Sequence, residues 1–247
     1  MSPPIISCIV PVFNGERYLS EALDSIFSQT YRPLEVVVVN DGSTDGSAQV
    51  LTSYKNRLMY LEQADKGPAA ARNLGARAAQ GEYLAFLDQD DLWHPEKLTR
   101  QMARFEARPE LHLCIAHVQM FWISELQGEA ARLGTQPRAR VVPGYTTGTL
   151  LVRRTFFDDV GGFDTSLWFG DATEWFLHAA DRRAVMELLP EVLLYHRMHG
   201  TNLTRRRISA SRDEFLGIVK RSLDQRRQSR IGIVSLDFPI SSRPGTR

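Results

Sequence analysis

Four continuous apolar runs mark the first hundred residues, and each gives way abruptly to a polar loop. Residues 5–10 (Ile-Ile-Ser-Cys-Ile-Val) predict a strand buried on both faces, with Pro11 ending it. Residues 35–39 (Glu-Val-Val-Val-Val), 58–61 and 83–87 (Tyr-Leu-Ala-Phe-Leu) predict three more. Between them the apolar period becomes helical. Leu19, Ala22, Leu23, Ile26 and Phe27 predict one helix, with Asn14 or Gly15 as its cap. Ser47, Val50 and Leu51 suit a second, and the Ala-rich run 68–79, opened by Pro68, a third. Leu98, Met102 and Phe105, after Pro95, predict a fourth. Strand–helix alternation repeated in this way predicts parallel strands joined by crossover helices. Ligands of such sheets bind beyond the carboxyl ends of the strands. Pro11–Gly15, Asp41–Asp45 and Asp88–Asp91 all fall there, so three polar loops should converge on one edge.

The pattern loosens in the second half. Strands are expected at 112–118, 149–152, 185–189 and 192–195, a helical turn at 153–160 and a helix at 171–182. Residues 124–144 are polar with Gly and Pro and predict a loop. From 205 to 230 the chain is Arg-rich, and Ile208, Phe215, Ile218, Val219 and Leu223 form an apolar stripe at helical spacing. Residues 231–247 carry no periodicity and are expected to be mobile.

Composition narrows the class. The chain has 247 residues, 43 % hydrophobic and 24 % charged, which excludes collagen-like, disordered and polytopic membrane chains. No run of about 18 apolar residues occurs, and no leader pattern opens the chain, so neither a membrane span nor a signal peptide is expected. Cys8 and Cys114 both lie in apolar runs and predict buried free thiols. The net charge of +1 conceals an asymmetry. Residues 205–247 hold 11 basic and 4 acidic residues, a net of +7, which leaves −6 on residues 1–204. A basic tail on an acidic body needs its own explanation.

Chemistry concentrates in the loops. Asp88-Gln89-Asp90 caps an apolar strand and is followed by Asp91. Hard divalent cations take oxygen ligands, often one or two carboxylates completed by substrate phosphates. The competing reading is an acidic turn that caps the next helix. Asp41 could accept from a nucleobase N–H, whereas Thr44 and Asp45 fit helix capping better. Lys66 before a helix and Arg72 inside it suit a phosphate group, or surface ion pairs. His196, His199 and Asn202 cluster without a cysteine, so they make no convincing zinc site; His199 is a candidate metal or diphosphate contact. Asp171 and Glu174 share one helix face, and either could serve as general base if partly desolvated by Trp168, Phe169 or Trp175. No G-x-G-x-x-G or P-loop pattern occurs, which disfavours dinucleotide-dependent oxidoreductases and P-loop NTPases.

The run Ile9-Val-Pro-Val-Phe-Asn-Gly15, then Val39-Asn-Asp-Gly-Ser-Thr-Asp45, Ala70-Ala-Arg-Asn73 and Phe86-Leu-Asp-Gln-Asp-Asp91 resembles the family 2 glycosyltransferases of the GT-A fold. Gly161-Gly-Phe-Asp164, Asp171–His178 and Arg197-x-His199-x-x-Asn202 are similar to the family's second-half motifs. The resemblance implies an α/β fold with a mostly parallel central sheet flanked by helices and an irregular acceptor-side half. It implies one domain over 1–204, divided into a nucleotide-binding half (1–100) and an acceptor-side half (101–204), followed by the basic helical extension. The implied activity is transfer of a sugar from a nucleotide donor to a hydroxyl, usually with inversion and with Mn²⁺ or Mg²⁺. Pro11, Phe13, Asn14, Glu16, Asp41, Lys66, Arg72 and Asp88 then contact the nucleotide. Asp90, with Asp88 and His199, holds the metal. One departure matters: many members carry Glu-Asp where this chain has Asp171-Ala172, which leaves the base at Asp171, at Glu174 or absent.

Rival classes remain. A nucleotide-sugar-binding relative without catalysis is motivated by Ala172. A nucleotidyltransferase would show a Gly- and basic-rich loop after the first strand, and Phe13-Asn14-Gly15-Glu16 offers neither. The basic helix suggests contact with an acidic protein face or an anionic membrane surface rather than a nucleic acid. The implied setting is the cytoplasm, peripheral to the membrane, in envelope or polysaccharide synthesis. Sugar, base, acceptor and oligomeric state carry no sequence signal.

Overall fold

The computed structural model describes residues 2–133, 141–206 and 208–228. The expected tail at 231–247 and part of the 124–144 segment lie outside these. One nine-stranded sheet organises the chain. Its first half alternates as the apolar pattern predicts: β1 (Ile6–Val12), α1 (Leu19–Phe27), β2 (Leu34–Asn40), α2 (Ser47–Thr52), β3 (Met59–Glu62), α3 (Pro68–Ala78) and β4 (Tyr83–Phe86). β3, β2, β1 and β4 lie side by side and all pair in parallel. All seven residues of β1 are buried, as a central strand covered on both faces requires.

Two boundaries differ from expectation. β1 continues through Pro11 to Val12, pairing Pro11 with Val39 of β2. Pairing with β4 has already ended at Ile9–Phe86, so on that side no ladder bond is lost for want of the proline N–H. Neither Asn14 nor Gly15 caps α1. The Gly15 carbonyl accepts from the amides of Tyr18 and Leu19, and Tyr18 stands at the N-cap without a side-chain cap bond.

The second half inserts β5 (Leu92–Trp93), α4 (Lys97–Ala107), β6 (Leu113–Trp122), α5 (Gln127–Leu133), β7 (Val141–Pro143), β8 (Leu151–Arg153), α6 (Arg154–Val160), α7 (Asp171–Asp181) and β9 (Met186–Met198). The sheet order is β3-β2-β1-β4-β8-β6-β9-β5, with β7 on β6. Here β8 runs antiparallel to both β4 and β6, and β9 pairs parallel to β6. The strands expected at 185–189 and 192–195 are one strand. Register shifts on both sides of His117 let β9 pass Pro190, and His117 Nδ1 contacts the Leu189 carbonyl at 2.8 Å. The 124–144 segment is not wholly loop: it contains α5 and β7.

Two apolar layers sandwich the sheet. On one face α1 and α4 contribute Leu19, Leu23, Leu98, Met102 and Phe105, and both free cysteines belong to this side or its strands. Burial pushes both thiols up to about 12. On the other face the alanines of α3 pack with Phe156, Phe157, Phe163 and Trp175. α8 (Leu203–Arg206) and α9 (Ile208–Gln228) follow β9, and α9 packs on α7. Among the described residues no helix is long and apolar enough to cross a membrane.

Candidate active site

A cleft of about 1250 Å³ opens beyond the carboxyl ends of β1, β2 and β4. The three polar loops meet there and are bonded to one another. Asn14, at φ 51°, accepts on Oδ1 from the Thr44 amide (2.8 Å), while its own amide donates to Ser43 Oγ. Glu16 accepts from the Gly46 amide (2.9 Å), and the Glu16 amide donates to Asp45. Asn14 and Glu16 therefore line the cleft and also build its wall. Gln89, the middle residue of Asp88-Gln89-Asp90, bridges to the first loop. Its side-chain amide donates to the Phe13 carbonyl and accepts from the Phe13 amide at 2.9 and 2.8 Å. That tie fixes the Phe13 backbone and leaves its ring 45 % exposed in the cleft. A Cβ on Gly15 would stand 2.4 Å from Gln89 Oε1, so a larger residue there would push Gln89 off its bonds to Phe13.

Asp41 is buried and accepts three hydrogen bonds, from Gln63 Nε2 and from the amides of Lys66 and Gly67, at 2.7–2.9 Å. Its carboxylate fastens the loop that leads into α3. Lys66 takes part through its amide, and its side chain is exposed and not among the cleft-lining groups. Pro11 lines the cleft floor.

Arg72 is buried between two carboxylates, donating to Asp88 Oδ1 and to Asp171 Oδ2, both at 2.6 Å. Burial opposes its charge, but Asp88 and Asp171 outweigh that and raise its pKa. The next residue, Asn73, exchanges two hydrogen bonds with the backbone of Phe163 (2.7 and 2.9 Å). The Arg-Asn pair of α3 thus anchors both Gly161-Gly-Phe-Asp164 and α7. No local pattern announces these contacts, which span 99 and 90 residues.

The strand β9 and the turn after it close the opposite wall. His199 Nε2 meets Asp90 Oδ2 at 2.8 Å, and the Asn202 carboxamide accepts from the His199 amide and donates to the Arg197 carbonyl. Asp91 is buried and receives His196 Nδ1 at 2.9 Å and the Arg197 amide at 3.0 Å. Burial would lower the His196 pKa, yet Asp91, Asp90 and Asp88 together raise it. Asp91 is therefore a structural anchor for β9 rather than a third free carboxylate. Asp90 and His199 form a carboxylate–imidazole pair at the cleft wall, a donor set that suits a cation completed by phosphate oxygens. Among the described residues no group of three or more His, Cys, Asp or Glu could hold a metal by itself.

The two candidate bases separate. Asp171 lines the cleft beside Ala172, whereas Glu174 lines a small groove between α7 and α9 with His178 and Arg221. Burial raises the pKa of Glu174, and its side chain lies 3.1 Å from His178 Nε2. Of the aromatic residues expected as a wall for the base, Trp168, 42 % exposed, and Phe169 line the cleft with Asp171, while Trp175 is core.

An α/β sheet with a cleft beyond its parallel edge, walled on one side by an acidic turn, is the architecture of the GT-A transferases. Two solved structures share it: S. aureus TarS in complex with UDP-GlcNAc (TM-score 0.69, 21 % identity, 89 % of this chain and 66 % of that one), and the mannosyltransferase PcManGT from Pyrobaculum calidifontis in complex with GDP-Man and Mn²⁺ (TM-score 0.67, 21 % identity, 90 % and 65 %). The model of glycosyl transferase family 2 matches residues 7–161, and the chain belongs to that family. An uncharacterized glycosyltransferase of Nostoc sp. is 31 % identical over 211 residues, 80 % of this chain and 66 % of the relative. One from Rickettsia typhi is 40 % identical over 99 residues, 40 % of this chain and 31 % of the relative. The chain thus spans from about a third to two thirds of the length of these curated relatives.

Proposed function

We propose that the chain transfers a sugar from a nucleoside-diphosphate donor to an acceptor hydroxyl, with inversion at the anomeric carbon. The observation that carries this reading is the convergence of Asp88, Asp90 and His199 at the cleft, with Arg72 locking Asp88 to Asp171. Asp90 and His199 would hold Mn²⁺ or Mg²⁺ against the donor diphosphate. Such a cation, when bound, neutralises charge developing on the leaving diphosphate. Phe13 and the Asp41-fastened loop would receive the base and ribose. Asp171 would take the proton of the attacking hydroxyl, since it reaches the cleft and Glu174 does not. The tie from Asp171 to Arg72, beside Ala172, favours one second reading, a relative that binds the nucleotide sugar without turning it over.

We further infer a chain that works on the cytoplasmic side of an anionic membrane on a lipid-linked or envelope acceptor; what supports the membrane contact is the described part of α9. Phe215, Leu216 and Leu223 are exposed on it, with Arg212 and Lys220 beside them. The test of the main reading is a thermal-shift screen of nucleoside diphosphates with and without Mn²⁺, followed by turnover of the matching sugar nucleotide. One nucleotide should raise Tm, more so with the metal. Asp90→Ala should erase the metal-dependent increment and reduce kcat on the order of 10²–10³-fold. Absence of any nucleotide effect defeats the reading; binding without turnover across an acceptor panel selects the second.

A further inference from the structure

One wall of the cleft is held from outside by a single carboxylate. Glu214, on α9, accepts the amides of Phe169 and Gly170 on Oε1 at 2.8 and 2.6 Å, and that of Trp168 on Oε2 at 3.1 Å. Three consecutive main-chain N–H groups aimed at one point form an anion-binding nest, and here the chain itself supplies the anion. The nest immediately precedes α7, whose N-cap, Gly170, has no side chain to cap it, and negative charge is favourable at that end of a helix. Packing supports the same contact independently. A Cβ on Gly170 would stand 2.2 Å from Ile218 Cδ1, so any larger residue there would force the buried Ile218 side chain to move.

The clamped segment belongs to the cleft. Trp168 and Phe169 line it, and Asp171 follows one residue after the last clamped amide. Across the cleft the Trp168 ring faces Gly67, where an added Cβ would lie 3.9 Å from the indole. The Gly67 amide is itself fixed by Asp41. Two carboxylates, Asp41 on one wall and Glu214 on the other, therefore set the backbone on either side of this gap.

We propose that Glu214 is a positioning residue for transfer, placing the Trp168 indole and the Asp171 carboxylate relative to the donor, and that α9 is part of the working site. The proposal rests on the glycosyltransferase reading. It is tested on the full chain with Glu214→Gln and Glu214→Ala. Gln can keep one acceptor for Phe169 and Gly170 but loses the bond from Trp168. Trp168 is the exposed member of the four tryptophans, Trp93, Trp122 and Trp175 being buried, so acrylamide quenching reads its surroundings, with Trp168→Phe identifying its signal. Glu214→Ala should change that quenching and reduce kcat about 10–100-fold, as a small misplacement does, with donor KM within about twofold of wild type. Glu214→Gln should fall between Ala and wild type in both readouts. Unchanged quenching and kcat in Glu214→Ala overturn the proposal. So does a lowered Tm with equal kcat losses in Ala and Gln and unchanged quenching, because that pattern marks general destabilisation. A wild-type chain that binds nucleotide but transfers nothing overturns the parent reading instead, and the quenching comparison then decides the clamp alone.

Discussion

The two halves of the sheet build their share of the cleft by opposite means. In the first half, loops that follow neighbouring parallel strands hold one another: Asn14 with Thr44, Glu16 with Gly46, Asp41 with Lys66 and Gly67. In the second half, four groups at or behind the cleft reach back to the first. Asp171 meets Arg72, Phe163 meets Asn73, His196 meets Asp91 and His199 meets Asp90. The first half is thus a self-consistent platform. The second is positioned by a few charged and amide contacts on α3 and on the turn after β4. The family match covers all of the platform but ends at residue 161, before α7, β9 and α9. The departure at Ala172 falls in the part that depends on those contacts.

The Arg72 ion pairs are the severest test of that division. Arg72→Met leaves the Asp88 and Asp171 carboxylates facing each other without a cation, and removing one partner of a buried ion pair costs about 3–5 kcal/mol. Urea denaturation should show a loss of that order. Arg72→Lys should recover only part of it, because a single ammonium cannot present two separate donors in a fixed fork to two carboxylates. If Met and Lys variants both unfold at the wild-type midpoint, α7 is held by something other than Arg72.

A further tie lies within the second half, and its contribution to stability should depend on pH. Lys97 of α4 is fully buried, donating to Gln101 Oε1 at 2.9 Å with its ammonium 4.3 Å from the centre of the Trp93 ring. Gln101 in turn donates to the carbonyls of Cys114 and Thr149, joining α4 to β6 and to the segment before β8. Burial pushes Lys97 down to about 7 from its ordinary value near 10.5. Between those values the unfolded chain binds a proton that the native chain does not. Stability should therefore rise with pH across that window, by about 1.4 kcal/mol per unit at most, and this part of the dependence should vanish in Lys97→Met. Denaturation midpoints at pH 7, 8 and 9 check it; an equal slope in the variant removes Lys97 as the cause.

The same division explains what the sequence makes legible. Each parallel strand of the platform carries its own signal, an apolar run ending in a polar turn, so β1–β4 and the edge where their loops meet can be read locally. Strands of the second half are defined by partners. β9 looks like two strands because Pro190 interrupts its pattern, and β6 looks short because Gln119–Phe121 are only half-buried. At the site, Asp88, Asp90, Arg72 and His199 stand out by residue type and position. Their pairing does not, because nothing local ties Arg72 to Asp171. Glu214 has no signature at all: its partners are backbone amides, which every residue but proline supplies.

The smallest effect concerns the outer face of α9, the side turned away from Glu214's nest. Phe215, Leu216, Val219 and Leu223 recur at helical spacing, and Phe215, Leu216 and Leu223 are 48, 57 and 51 % exposed. Arg212 and Lys220 flank them, a combination that fits an anionic bilayer better than a neutral one. Leu216→Ser should weaken flotation with anionic liposomes about tenfold, the loss of one buried leucine side chain. The platform and its nucleotide-induced Tm shift should be unaffected, because Leu216 is exposed and the nest contact lies at Glu214. Flotation that is equal on neutral and anionic vesicles, or insensitive to Leu216→Ser, removes the membrane from the account of α9. The nest contact would then stand as the reason this helix packs on α7.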